Sequence, residues 1–291
     1  MKDPKTIDQQ VKILIDRGLI VNDIELVRKF LNQINYYRFS GYLKLFLVND
    51  VFETNTVFEK LVEIYNFDYE LRKLLFSFLG YIEVLIKTQL ALELSLNISA
   101  ICYIDKKNFL DEDRFNSLQD NINDSITKKY SKEPFIKHFQ GDYLPLWVLV
   151  EIMSFGNISM MYANLTDSNK DLICKGYLNI NKNYLKNYLY VLSNLRNVCA
   201  HQGRIYGKEF ELAPKISNKD KSMLTFNNIN VSNSNHKLFI YIFILIKLIK
   251  DDSEKEKIID ELKLLFNKYP NIDIDKIGFV YNWEDILNSI K

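Results

Sequence analysis

The chain has 291 residues, 47% of them apolar, with 9 Gly, 5 Pro and a formal net charge of +1. That apolar share excludes a disordered chain. Scarce breakers favour helices, since Gly and Pro cost about 1 and 3 kcal/mol inside one, and near-neutrality means that any nucleic-acid contact needs a local basic patch. Lysine outnumbers arginine, so each arginine is read individually. Cys102, Cys174 and Cys199 show no paired spacing. They support neither a disulfide framework nor a zinc site, and read as small buried hydrophobes.

Thr6-Ile7-Asp8-Gln9 has capping-box spacing, Ile7, Val11 and Leu14 follow at helical intervals, and Gly18 supplies a stop. Asp23 caps a second helix with Ile24, Val27, Phe30, Leu31 and Ile34 on one face, so the two form a hairpin. The polar N-terminus is not a signal region, and no membrane segment is expected. Ile34-Asn35-Tyr36-Tyr37-Arg38-Phe39-Ser40-Gly41-Tyr42 admits two readings. One is a packed junction with tyrosine hydroxyls at the core edge. The other is an RNA contact, in which Tyr36 and Tyr37 stack on bases and Arg38 meets phosphate.

From Thr56 to about Leu96 the apolar rhythm predicts one long helix or two in near-continuity. Glu83 and Lys87, four apart, read as a surface pair worth a few tenths of a kcal/mol, with catalysis by Glu83 as the rarer alternative. Residues 105–143 are polar, with one exposed helix at about Glu112 to Lys129. Leu144-Pro145-Leu146-Trp147 starts another, proline suiting its first turn. Ser154-Phe155-Gly156-Asn157 breaks it and starts the next through Tyr162, and a short helix covers about Ser168 to Cys174. Tyr184 to about Gly203 follows as a helix. Ser217 to Asn235 reads as a long surface loop, with an extended pair around Leu224 and Ile229. Two helices close the chain, about His236 to Lys250 and Glu254 to Tyr269, the second capped by Ser253. The apolar run Leu238–Ile246 is too short for a span of about 18 to 20 residues and reads as a buried helix. No alternating strand pattern is evident.

The Tyr184–Gly203 helix carries Leu195-Arg196-Asn197-Val198-Cys199-Ala200-His201-Gln202-Gly203-Arg204. On a wheel with Leu195 at zero, Tyr184, Tyr188, Val191, Leu192, Val198 and Cys199 fall within about 60° and form the core stripe. Arg204, Asn197 and His201 fall near about 180°, 200° and 240°, facing away with Lys186, Tyr190, Ser193 and Asn194. Arg196 lies at the flank, near about 100°. A histidine so placed is not a core histidine. These residue types suit metal-free RNA cleavage: imidazole moves a proton to or from the 2′-hydroxyl or the leaving 5′-oxygen, arginine holds phosphate, and asparagine orients the imidazole or bonds the phosphate. One such set is thin for both acid and base roles, whereas two copies across a two-fold dimer supply both. Rival sites lack support. His138 and His236 are isolated, so no metal and no cofactor is expected; there is no Gly-rich phosphate loop and no nucleophile elbow.

Four ordered blocks resemble the Abi-like (AbiD/AbiF-type) abortive-infection proteins over roughly residues 6 to 207: Arg17-Gly18-Leu19 with Ile34–Tyr42; Ile82-Glu83-Val84 with Lys87; Leu144–Trp147 running into Met153–Asn157; and Leu195–His201 with Gly203-Arg204. Arg196-Asn197-x-x-x-His201 is similar to the nuclease signature of HEPN domains. The resemblance implies an all-α fold with a HEPN-type helical bundle, placed here at 51–213 with an added N-terminal helical segment at 1–50; outside the resemblance, the pattern along the chain adds a loop plus C-terminal helices at 214–291 packing on the core. The resemblance also implies a homodimer that acts as a toxin in phage defence. Its catalytic residues would be Arg196, Asn197 and His201; from the aromatic block and the outer face of the helix, Arg204, Lys186, Tyr36, Tyr37 and Arg38 are the expected RNA contacts. The pattern departs at Gln202, where many relatives carry a second histidine. The function expected is a metal-independent endoribonuclease in the cytoplasm. Its alternatives are a non-cleaving RNA-binding regulator that holds a structured non-coding RNA, and a protein scaffold that touches no nucleic acid.

Overall fold

A computed structural model describes residues 3–129, 136 and 143–290 of the chain. It is all-α, apart from one two-stranded hairpin. Thr6 starts α1 (Ile7–Asp16) with both bonds of the capping box, and Gly18 takes the left-handed φ of 89° that lets the chain turn. Asp23 accepts from the backbone N–H groups of Glu25 and Leu26 and starts α2 (Ile24–Gln33), which packs on α1. The aromatic block is itself helical: Asn35 caps α3 (Tyr36–Leu43).

Next come β1 (Leu47–Val48) and β2 (Val51–Phe52), antiparallel, joined through Asn49 and Asp50 at φ 52° and 65°. Two left-handed residues give the turn whose twist suits a tight hairpin. Strands of two residues are too short to show alternation, which is why the sequence pattern gave no sign of them.

The centre of the fold is α4 (Phe58–Asn97), 40 residues in one helix. It is long and apolar enough to cross a membrane by length and composition. Here, however, α3 and five later helices cover its apolar residues. The chain continues in order with α5 (Glu112–Lys129), α6 (Leu146–Ile152), α7 (Phe155–Asn164), α8 (Asp167–Lys175) and α9 (Lys182–Ala200). Pro145 precedes α6, and Ser154 accepts from the Asn157 N–H at 3.2 Å to start α7. Packed on α4 are α3, α6, α8, α9, and two helices of the tail.

The tail differs from the expected surface loop. Ser217 caps α10 (Asn218–Phe226), accepting from the Asp220 N–H at 3.1 Å, and Asn230 caps α11 (Val231–Ser234). Ser and Asn at those positions are caps, and their density disguised two short helices as a loop. Then come α12 (Leu238–Leu248), α13 (Asp252–Lys268), capped by Asp251 rather than Ser253, and a further short helix, α14 (Trp283–Asn288). The run Leu238–Ile246 is buried throughout. Each such side chain contributes about 1.5–3 kcal/mol relative to exposure. Through α12 and α13 the tail packs on α4, and α12 also covers α9.

Candidate active site on helix α9

α9 starts at Asn181, whose side chain accepts from the Asn183 N–H at 2.9 Å, and it is sandwiched among α4, α7, α8 and α12. Being enclosed on several sides, it buries more than one stripe. Ser193, expected on the outer face, is 4% exposed and donates its hydroxyl proton to the Tyr190 carbonyl. A hydroxyl satisfied by its own helix tolerates that burial. Val198 and Tyr184, expected in the core stripe, are half-buried.

The helix ends differently from the expected stop at Gly203. His201 is the last residue before the turn, its N–H donating to the Asn197 carbonyl at 2.9 Å. Gln202 takes the left-handed conformation, φ 57°. Its N–H donates to the Cys199 carbonyl (3.1 Å) and the Gly203 N–H to the Val198 carbonyl (2.8 Å), the paired bonds of a Schellman cap. Gly203 is needed for closeness: a Cβ there would meet Val198 Cγ1 at 2.9 Å and the Val198 carbonyl oxygen at 3.2 Å.

Arg204 therefore leaves the helix, and the wheel that put it on the Asn197–His201 ridge does not apply to it. It bends back under α3, donating to the Tyr206 carbonyl at 2.7 Å. A Cβ on Gly41 would sit 3.6 Å from its Nε. Arg38, from the same helix α3, donates to the Gln202 carbonyl. The aromatic block splits by face. Phe39 and Tyr42 are buried in an edge-to-face cluster with Phe30, Phe58 and Tyr65. Tyr36 is half-buried, with burial raising its hydroxyl pKa, and Tyr37 is 87% exposed.

Beneath this turn lies a charged knot that the sequence reading missed. Asp68 and Arg72 of α4 pair with exposures of 0% and 2%. Asp68 also accepts from the Tyr42 hydroxyl at 2.5 Å and from the backbone N–H groups of Ile205 (3.1 Å) and Tyr206 (2.7 Å). Burial pushes its carboxyl above the usual range, and Arg72 and these donors pull against that. Arg72 Nη1 reaches the Gly203 carbonyl at 3.4 Å, while its Nε and Nη2 are buried without a partner among the described residues. The signal was present: Asp68 and Arg72 stand four apart on α4 among Leu61, Ile64, Leu71 and Leu75, where core residues belong.

Arg196 crosses from α9 to α4. Its Nε lies 3.5 Å from Glu83 Oε2, and its guanidinium sits over the Phe76 ring at 5.5 Å. Lys87 Nζ holds the other Glu83 oxygen at 2.9 Å. Glu83 and Lys87 are only 13% and 10% exposed, so this is no surface pair: Arg196 and α9 cover it. Arg196 makes no hydrogen bond to other described residues within reach of its Nη groups, and 31% of its side chain is exposed. Asn197 and His201 are exposed, and neither side chain has a hydrogen-bond partner among the described residues. Cys199 between them faces inward, and burial pushes its thiol up to about 12, so it is no nucleophile near neutral pH. The other two cysteines are buried as well.

Four of the seven arginines, Arg38, Arg72, Arg196 and Arg204, thus gather around the end of α9. Lys186 lies elsewhere, about four turns earlier on α9. Among the described residues no group of three or more His, Cys, Asp and Glu could hold a metal, and His138 lies outside them. A family model for Abi-like proteins matches residues 29–207, more than half of the chain. The chain belongs to the Abi-like protein family. That match takes in the aromatic helix α3, Glu83, Lys87 and the whole α9 motif of this Abi-like chain, and leaves out Arg17-Gly18-Leu19 and the tail. No curated protein and no solved structure matches it.

Proposed function

We propose that this Abi-like chain is a metal-independent endoribonuclease of the HEPN type that acts as a toxin in abortive infection, halting phage by stopping its host. The observation that carries the reading is the division of labour at the end of α9. Arg196 is oriented by Glu83 and Phe76 with donor capacity to spare, while His201 one turn on is exposed and unpaired. In the reaction the 2′-hydroxyl of a ribose attacks the adjacent phosphorus and the P–O5′ bond breaks. One imidazole takes the 2′ proton, and a second, protonated one gives a proton to the departing 5′-oxygen. The products are a 2′,3′-cyclic phosphate and a 5′-hydroxyl. Arg196 binds the phosphate oxygens as charge builds on them, and Asn197, one turn before His201, orients the ring or bonds the phosphate. A single His201 cannot serve both proton transfers in one step, so two chains act as a homodimer that brings two copies of the ridge together. Such a protein works in the cytoplasm.

The test is purified protein with RNA in the presence of chelator, scored for cyclic-phosphate ends. The parent cuts and His201→Ala is slowed by about 10² or more; equal rates sink the assignment. One observation favours a second reading, in which the chain binds a structured RNA without cutting. At Gln202, where many relatives carry a second histidine, the backbone is left-handed and its carbonyl is tied to Arg38. Co-purified RNA that no condition cleaves would select that reading.

A further inference from the structure

Three turns up α9 from His201 lies a cleft of about 480 Å³ between α5, α7 and α9, closed at one side by the chain leading to α10. Its volume falls within the range of small-molecule and cofactor sites, roughly 300–1,000 Å³. Arg114, Lys186 and Lys215 line it, and no Asp or Glu does. None of the three cations has an ion-pair partner among the described residues. The neighbouring Lys170 ammonium is held below the usual lysine range by burial and then by Lys186. The remaining wall is different in kind. Tyr190 and Met160 are 53% and 46% exposed, a ring and a thioether presented to solvent. Ser159 and Asn183 also line the cleft, and neither side chain hydrogen-bonds to other described residues. By contrast the neighbouring Asn187 is occupied, accepting from the Lys215 N–H at 2.7 Å and so fixing where that lysine starts.

We propose that this cleft is a nucleotide subsite: Arg114, Lys186 and Lys215 hold a phosphate while the Tyr190 ring stacks on its base. Unpaired cations without carboxylates select an anion, an exposed aromatic beside them selects a flat π-surface, and a nucleotide joins the two. The unit can belong to an RNA strand or be a free mononucleotide. The helix itself favours the strand. Lys186, Tyr190, Asn194, Asn197 and His201 fall within about 80° of one another on α9, and Lys186 to His201 spans about 22 Å. A strand anchored in the cleft therefore runs along one face of α9 to the histidine. The inference rests on the reading of the chain as an RNA-acting protein, and gives that site its substrate grip away from the cut.

The test uses full-length His201→Ala protein, which leaves the cleft intact, with a fluorescent oligoadenylate and with adenosine monophosphate as probes. The triple variant Arg114→Glu/Lys186→Glu/Lys215→Glu is expected to lose about tenfold or more in oligoadenylate affinity and to lower the salt slope by about 2. Tyr190→Ala is expected to lose about tenfold and Tyr190→Phe almost nothing. All four positions are at the surface, and unchanged circular dichroism checks folding. Weakened oligonucleotide binding in the variants supports the strand. Saturable binding of the monophosphate, abolished by the variants, with oligoadenylate unaffected, supports the same subsite filled by a free nucleotide. Parent-like binding of both probes by the variants overturns the subsite while leaving the nuclease reading standing. No binding of either probe by the parent overturns both. Cleft-dependent binding with equal cutting by parent and His201→Ala leaves the subsite and sinks only the catalytic assignment.

Discussion

Two arginine–carboxylate pairs join α4 to the end of α9, and they differ in what is left over. At Asp68 and Arg72 both groups are buried, and the carboxylate's two oxygens are filled by Arg72, Tyr42, Ile205 and Tyr206. Every acceptor position is spent inside the protein, so the pair can only hold. At Glu83 and Arg196, about three to four turns further along α4, the carboxylate is mostly covered but the arginine is not, and part of its donor set faces outward. The same two functional groups make a rivet in one place and, on the proposed reading, a preoriented phosphate ligand in the other, and solvent access separates the two. A buried pair is poor evidence of net stability but costly to break from one side, whereas a half-exposed arginine held in place loses little on meeting its ligand.

The comparison breaks first at Asp68. Asp68→Ala leaves Arg72 charged and buried without its counterion and unties the backbone of Ile205 and Tyr206. Urea denaturation should show a loss of about 3–5 kcal/mol, or the chain should fail to accumulate. A loss under about 1 kcal/mol would mean that the knot is not what anchors the turn. The second effect runs the other way. His201→Ala should leave the denaturation midpoint within about 0.5 kcal/mol of the parent, while slowing RNA cleavage by about 10², equivalent to about 2.7 kcal/mol of barrier. A histidine that costs stability instead would belong with the holding residues. Third, Glu83→Gln keeps the shape but removes the charge that Lys87 and Arg196 share. About 1.5–3 kcal/mol should go, together with a rise in KM for RNA as Arg196 loses its orientation. Unchanged KM would mean that Arg196 does not meet substrate.

The all-α class, the hairpin α1–α2, the long α4 and the buried α12 were legible because each shows a helical apolar rhythm with a cap or stop at its ends. The outward faces of Asn197 and His201 were legible for the same reason, by helical geometry alone. What was not legible depends on contacts between distant segments. Arg196 meets Glu83 more than a hundred positions earlier, and nothing local says that a lysine–glutamate pair on α4 will be roofed by another helix. Arg204 was placed by a wheel that stopped applying four residues before it, since the helix ends at Ala200. Ser217 to Asn235 was misread because residues that cap helices are also those that fill loops. Asp68 and Arg72 were missed although their spacing marks them. They interrupt a core stripe, and an interrupted stripe is readily completed by eye with the neighbouring leucines.

The smallest effect concerns the residue between the holding and the acting parts. Gln202 sits left-handed at the end of α9, where a side chain costs about 1 kcal/mol that glycine does not. Its carbonyl is bonded by Arg38 and its N–H by Cys199, so its backbone belongs to the rivet. Its side chain is exposed beside His201, so it could belong to the site. Gln202→Gly separates these roles. If the side chain is idle, the variant should gain about 1 kcal/mol in urea denaturation with an unchanged slope, and cut RNA as the parent does. If cleavage falls while stability rises, the amide takes part in binding or orienting substrate. A stability loss would show that the turn is set by the side chain and not by the Schellman bonds, and would move Gln202 wholly to the holding side.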